Sequence, residues 1–138
     1  MTSGPRAIMD ASAVVAWLLE ERGARTIERL MPVSAVVSVN LAETFERLGR
    51  TDPDELAATG EDLASLGLML LPFETADAVF VPQVRTAGRK LATSGGGSLS
   101  LGDCCCLAAA VRRGLPVITD DGLWPALDLD VRVHLYRK

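Results

Sequence analysis

The stretch Ala7-Ile8-Met9-Asp10-Ala11-Ser12-Ala13-Val14-Val15 decides the fold. Its first three residues are apolar and read as a short buried strand that ends at Asp10. From Ser12 the pattern becomes helical, with Val14, Val15, Trp17, Leu18 and Leu19 forming an apolar face. A strand that ends in an acid and passes into a helix places a carboxylate where parallel sheets bind ligands, outside the strand's carboxyl end.

Working outward, Gly23 breaks the helix and Ala24 to Met31 carries a second short one. Pro32 introduces a strand over Val33 to Ser38, which Val36 and Val37 suit. Leu41, Phe45 and Leu48 mark one face of a third helix, closed by Gly49. Asp52-Pro53-Asp54-Glu55 is a helix start in which Asp52 caps, Pro53 takes the first position and Glu55 completes a capping box. That helix runs to about Leu66, and a strand over Leu68 to Leu71 follows. Thr75 to Gly88 reads as another helix, kinked or broken at Pro82. Ser94-Gly95-Gly96-Gly97-Ser98 reads as a flexible loop before a long helix over Leu101 to Arg113, stopped by Gly114 and Pro116. Val117-Ile118-Thr119 is the next strand, Leu123 to Leu127 a short helix and Val131 to Leu135 a last strand. This alternation predicts a three-layer α/β/α sandwich around a mainly parallel sheet. One domain is expected over residues 1–138, with Met1 to Arg6 disordered.

Four acids stand at the predicted carboxyl edge: Asp10, Glu43, Asp103 and Asp121. Asp10 follows the first strand and Asp121 the fourth. Glu43 lies about one helical turn past the second strand, and Asp103 in the first turn of the helix that feeds the fourth. Each alone has a plain structural use as a helix cap or as a charge at the positive end of a helix. Gathered together they repel, unless a cation binds between them. Carboxylate oxygens suit Mg²⁺ or Mn²⁺, and such ions clamp a phosphodiester and activate a water.

Composition narrows the field. The chain is 49% hydrophobic but holds only three Phe, two Trp and one Tyr, so Ala, Val and Leu must fill the core. The apolar stretch Ala11 to Leu19 is far short of the roughly 20 residues that span a bilayer, and it follows no basic segment with a cleavage-like end. Neither export nor membrane insertion is expected. Three adjacent cysteines, Cys104 to Cys106, have no disulfide spacing and fit a reducing, cytoplasmic setting. They point about 100° apart on a helix, so they cannot converge on one zinc, and buried thiols are expected, with one near Asp103 a candidate for exposure and oxidation. The net charge of −4 does not by itself advertise nucleic-acid binding.

Arg85, Arg89 and Lys90 form a basic cluster, with Arg85 and Arg89 one turn apart, and Arg112-Arg113 forms another. Both suit a solvated face with favourable charge near a helix C-terminus. RNA phosphate contact is the other reading of Arg85, Arg89 and Lys90. The Ser-Gly-Gly-Gly-Ser run lacks the Gly-Lys-Ser/Thr ending of a phosphate loop. Trp17 and Trp124 suit packing, and His134 suits a strand or the surface.

These contexts resemble the PIN-domain ribonucleases, in particular the VapC toxins of bacterial toxin–antitoxin pairs. The resemblance spans essentially the whole chain and is carried by Asp10-Ala11-Ser12-Ala13, Asn40-Leu41-Ala42-Glu43, Ser100-Leu101-Gly102-Asp103 with Cys106-Leu107-Ala108, and Thr119-Asp120-Asp121 before Trp124. It implies that Asp10, Glu43, Asp103 and Asp121 are the catalytic, metal-holding acids, with Ser12 and Thr119 orienting them. It also implies Mg²⁺- or Mn²⁺-dependent hydrolysis of RNA leaving a 5′-phosphate, a homodimer, and a small antitoxin whose tail fills the active-site groove. The chain departs from the pattern at Asp120, which leaves two adjacent carboxylates as candidates for the last position. The family's Thr-x-Asp spacing favours Asp121. It departs again at Cys104-Cys105, where Arg or Ala is frequent. A phosphoacceptor domain or haloacid-dehalogenase-type phosphatase fits poorly, because Asp10 stands alone and Ser12 occupies the place of a second Asp. A non-catalytic PIN-like binding module and a housekeeping PIN nuclease remain the alternatives.

Overall fold

A computed structural model describes residues 4–95 and 97–137. Five parallel strands form one sheet in the order β3-β2-β1-β4-β5: β1 Ala7–Met9, β2 Ser34–Val37, β3 Met69–Leu71, β4 Val117–Thr119 and β5 Val133–Leu135. Between them run the helices α1 Ala11–Leu18, α2 Ala24–Leu30, α3 Ser38–Arg47, α4 Pro53–Ser65, α5 Thr75–Ala78, α6 Val81–Thr93 and α7 Leu101–Arg113.

The layers follow from strand alternation, since successive side chains leave opposite faces. Ile8, Ala35 and Val117 pack against Val84 and Ala87 of α6 and against Cys104, Leu107 and Ala108 of α7. Ala7, Met9, Val36 and Ile118 pack on the other face against Val14 of α1, Ile27 of α2 and Leu63 of α4. The α/β/α sandwich expected from the sequence is the fold observed. Its all-parallel sheet is covered on both faces, so β1, β2 and β4 are buried along their whole length, Ser34 and Thr119 included.

Several local readings change. Pro82 breaks the expected Thr75–Gly88 helix outright, and it sits at the start of α6, which continues to Thr93. Asp52 caps α4 by accepting the Asp54 amide, so Glu55 closes no capping box there. The most buried positions of α3 are Asn40 and Thr44 rather than Leu41, Phe45 and Leu48. Arg6, expected in a disordered start, donates its amide to the Val33 carbonyl at 2.7 Å. The remainder of that start, Met1 to Ser3, and Gly96 of the expected loop lie outside the described residues. No described helix is long and apolar enough to cross a membrane.

The strand order matters for the site. The chain leaves β1 toward β2 on one side, and β4 joins β1 on the other. The carboxyl ends of β1 and β4 therefore flank the topological switch point, where open α/β sheets bind their ligands.

Candidate active site

Asp10 is the N-cap of α1, with extended backbone at φ −83° and ψ 177°. Its Oδ1 accepts the Ser12 hydroxyl at 2.6 Å and the Ala13 amide at 3.2 Å. Its Oδ2 accepts the Thr119 hydroxyl at 2.6 Å. The residue is only 7% exposed. Burial pushes its pKa from 3.8 up to about 6 in spite of bonds from Ser12, Thr119 and Ala13, and the Asp120 charge pushes the same way. An enclosed carboxylate is stabilised by a cation bound beside it.

Thr119 joins the ends of β1 and β4. While its hydroxyl donates to Asp10, its oxygen accepts the Asp121 amide at 3.1 Å. One Asp121 oxygen accepts the Leu123 amide at 2.9 Å and caps the turn there. Asp120 donates its amide to Ser12 Oγ at 3.3 Å, and its exposed carboxylate lies 3.6 Å from Arg137.

On the other side, α3 presents Glu43 to α7. Asn40 Nδ2 donates to Glu43 Oε1 at 2.8 Å and to the Gly102 carbonyl at 3.0 Å, tying the two helices together. The Glu43 carboxylate occupies the space a Cβ on residue 102 would need, so glycine is the residue that fits before Asp103. Asp103 and Ser100 form a capping box at the start of α7, each side chain accepting the other's amide at 3.0 Å.

Cys106 lies beneath these groups, fully enclosed. Its thiol is held well above its usual range by burial first, and then by the charges of Asp10, Asp103 and Glu43. The charges of those three acids thus all reach Cys106, and Asp121 connects to Asp10 through Thr119. Among the described residues, no three His, Cys, Asp or Glu side chains are drawn closely enough together to hold a metal ion as they stand. One oxygen each of Asp103 and Asp121 is engaged at a cap, and one of Glu43 by Asn40, while the second oxygen takes part in none of these bonds. The donor set is carboxylate oxygen, with no neighbouring imidazole because His134 lies on β5, and that chemistry suits a hard divalent ion.

The basic residues divide. Arg85 donates to the Leu99 carbonyl at 2.7 Å and, with Arg89, lines a groove of about 250 Å³ beside Ser98 and Leu99. Lys90 pairs with Asp128 at 2.8 Å on the surface. Arg112 and Arg113 are not a solvated face. Both bind the fully buried Asp77 and the half-exposed Glu74, pinning α5 to the end of α7. Burial alone would raise the Asp77 pKa, but the Glu74 amide and both guanidiniums hold it below the usual range. All three thiols are enclosed, so the exposed cysteine expected near Asp103 is absent. Trp124 is core, and the half-buried Trp17 bonds Glu28. A larger groove, about 770 Å³ between α1 and α2, is lined by Trp17, Leu18 and Glu21 among others and by none of the four acids.

The profile of the PIN domain family matches residues 7–128. The chain belongs to the PIN-domain family. Solved structures share its fold. DNA-bound VapBC from Salmonella typhimurium is 20% identical with a TM-score of 0.71, covering 96% of this chain and 98% of that one. VapBC-5 from Mycobacterium tuberculosis is 27% identical with a TM-score of 0.56, covering 94% and 98%. VapC20 of the same organism, described as a sarcin–ricin loop cleaving toxin, is 19% identical with a TM-score of 0.58, covering 91% and 98%. A search of curated proteins found no match.

Two residues of this PIN site carry no role in the sequence reading. Asn40 and Gly102 position Glu43 beside α7, and the signal for the first is its i, i+3 spacing from the acid. Nothing in sequence marks the space above Gly102, which is defined by a helix 59 residues earlier in the chain that carries Glu43.

Proposed function

We propose that this PIN domain, taken as a single unit over the chain, is a metal-dependent endoribonuclease acting as the toxin of a type II toxin–antitoxin pair in the cytoplasm. The observation that carries the reading is the enclosed Asp10 carboxylate, clamped by Ser12 and Thr119 at the switch point. Asp10, Glu43, Asp103 and Asp121 would hold Mg²⁺ or Mn²⁺ through their oxygens. Bound there, the ion supplies Lewis-acid activation of water and of the scissile phosphate.

The chain's own residues do the positioning. Ser12 and Thr119 fix both Asp10 oxygens, so the acid needs little reorganisation to receive a cation. Asn40 aims Glu43, and Gly102 leaves room for it. Arg85 and Arg89 would meet RNA phosphate along the groove they line, with Lys90, paired to Asp128, an outer contact. The toxin role and an antitoxin partner rest on likeness to the VapBC complexes, and a homodimer is proposed on the family resemblance alone. RNA as substrate rests on the family and on the described activity of VapC20.

The test is cleavage of an RNA panel by pure, partner-free protein with Mg²⁺ or Mn²⁺, using EDTA and Asp10→Asn as controls. Metal-dependent cutting lost in the variant supports the enzyme. Tight RNA binding with no cutting at any metal concentration overturns it in favour of a binding module. Growth arrest on expression, relieved by a small protein encoded beside it, separates a toxin from a housekeeping nuclease.

A further inference from the structure

Tyr136 and Arg137 follow β5 and fold back over the acid edge. The Tyr136 amide donates to the Thr119 carbonyl at 3.3 Å and its hydroxyl to the Ser12 carbonyl at 3.1 Å. Ser12 and Thr119 are the two residues whose hydroxyls hold Asp10. The Tyr136 ring is enclosed and lies where a Cβ on residue 23 would meet it at 2.7 Å, so Gly23, at φ +94°, is the residue that lets the ring settle. The strap is seated with little slack.

Arg137 extends from this seat. One terminal nitrogen binds Glu21 Oε1 at 2.9 Å and the other lies 3.6 Å from Asp120 Oδ2. The guanidinium carbon lies 5.4 Å from the Tyr136 ring centroid. Its enclosed Nε has no acceptor among the described residues, so its two terminal nitrogens make its ion pairs. Asp120 adjoins Asp121, and its charge reaches Asp10.

We propose that Arg137 is a positioning residue for the acid edge: it neutralises Asp120 and holds that carboxylate toward the α1–α2 turn, leaving Asp121 to face Asp10. The proposal rests on the nuclease reading for its catalytic consequence. Five carboxylates at one edge would repel the phosphates of RNA and give a cation a fifth, competing ligand. With Asp120 paired to Arg137, which is itself anchored by Glu21, the edge presents four. A strap that only tethered the C-terminus would have a different signature. Loosening it would disturb Asp10 through Ser12 and Thr119, and the charge of Asp120 would not matter.

The experiment compares full-length wild type with Arg137→Ala, Arg137→Lys, Asp120→Asn and the double variant Arg137→Ala with Asp120→Asn. Mn²⁺ binding is followed by electron paramagnetic resonance, RNA cleavage by steady-state kinetics, and urea unfolding is measured in EDTA. Removing one positive charge and freeing one negative charge at this range should tighten Mn²⁺ binding and raise KM, each by about five-fold. Arg137→Lys should behave as wild type, and Asp120→Asn in the Arg137→Ala background should restore both Mn²⁺ affinity and KM. The urea midpoint of Arg137→Ala should fall and recover in part with the second substitution. Weakened Mn²⁺ binding, a fall in kcat at constant KM, or a double variant no better than Arg137→Ala in either series overturns the proposal. A wild type that neither binds Mn²⁺ nor cuts RNA sinks the nuclease reading, while the urea series still decides whether Arg137 acts on Asp120.

Discussion

Replacing Asp10 by Asn should make the metal-free protein more stable at neutral pH while abolishing its proposed activity. The folded-state pKa of Asp10 is raised from 3.8 to about 6, with burial the leading cause. In the unfolded chain the carboxyl loses its proton near its ordinary value. Between the two values the folded protein keeps a proton that the unfolded chain has released. The stability associated with Asp10 is therefore fully present below about pH 4 and is lost as pH rises through about 6. Above that range the enclosed charge costs about 3 kcal/mol, at about 1.4 kcal/mol for each tenfold change in acidity. Asn is nearly isosteric with the protonated acid and carries no charge at any pH. Urea unfolding in EDTA at pH 7.5 should thus show Asp10→Asn more stable by up to about 3 kcal/mol, with the two proteins converging near pH 4. Saturating Mn²⁺ should reverse the order, because only the wild type gains the cation's binding free energy. Equal stability at pH 7.5, or an advantage that does not shrink on acidification, would refute the reasoning.

Thr119→Val removes the donor to Asp10 and the acceptor for the Asp121 amide. RNA cleavage should fall by about 10–100-fold, the usual cost of removing a group that orients a metal ligand, and Mn²⁺ affinity should fall with it. Gly102→Ala places a methyl group where the Glu43 carboxylate lies, and should destabilise by about 1–3 kcal/mol in urea unfolding while lowering activity. Alanine at position 101 or 105 is the control that keeps this space open. The three thiols are enclosed and held above their usual range, by burial first. A thiol reagent at pH 8 should leave the native chain unlabelled and modify all three cysteines in urea; fast labelling of the native protein would contradict the packing of α7.

How much was legible in sequence depended on whether the signal was local. The run Ala7 to Met9 ending at Asp10, and the span Leu101 to Arg113 before Gly114, have the bounds expected of them, because strand alternation, capping and a C-terminal glycine all act within a few residues. The parallel sheet followed from alternation of elements. The break at Pro82 was one of two readings, and packing decided between kink and break. The apolar spacing of Leu41, Phe45 and Leu48 marks the third helix, but the deeper burial of Asn40 and Thr44 is decided only where α7 is set against it. Arg112 and Arg113 look solvated in sequence because their partners Asp77 and Glu74 lie more than thirty residues away.

By itself the sequence determined the α/β alternation, Asp10 and Asp121 beside strand ends, Asp103 in the first turn of its helix and Glu43 on the helix that follows β2. Hydrophobic period and helix-terminal chemistry are written into neighbouring residues. Only the tertiary structure decided that Thr119 and Ser12 share Asp10, that Glu43 fills the space above Gly102, and that Arg137 meets Asp120. Thr119 and Asp10 lie 109 residues apart, Glu43 and Gly102 lie 59 apart, and Arg137 lies 116 from its other partner Glu21. Hydrogen bonds and ion pairs of this kind depend on distances of a few ångströms, which no spacing along the chain encodes until the sheet order has brought β1 and β4 side by side.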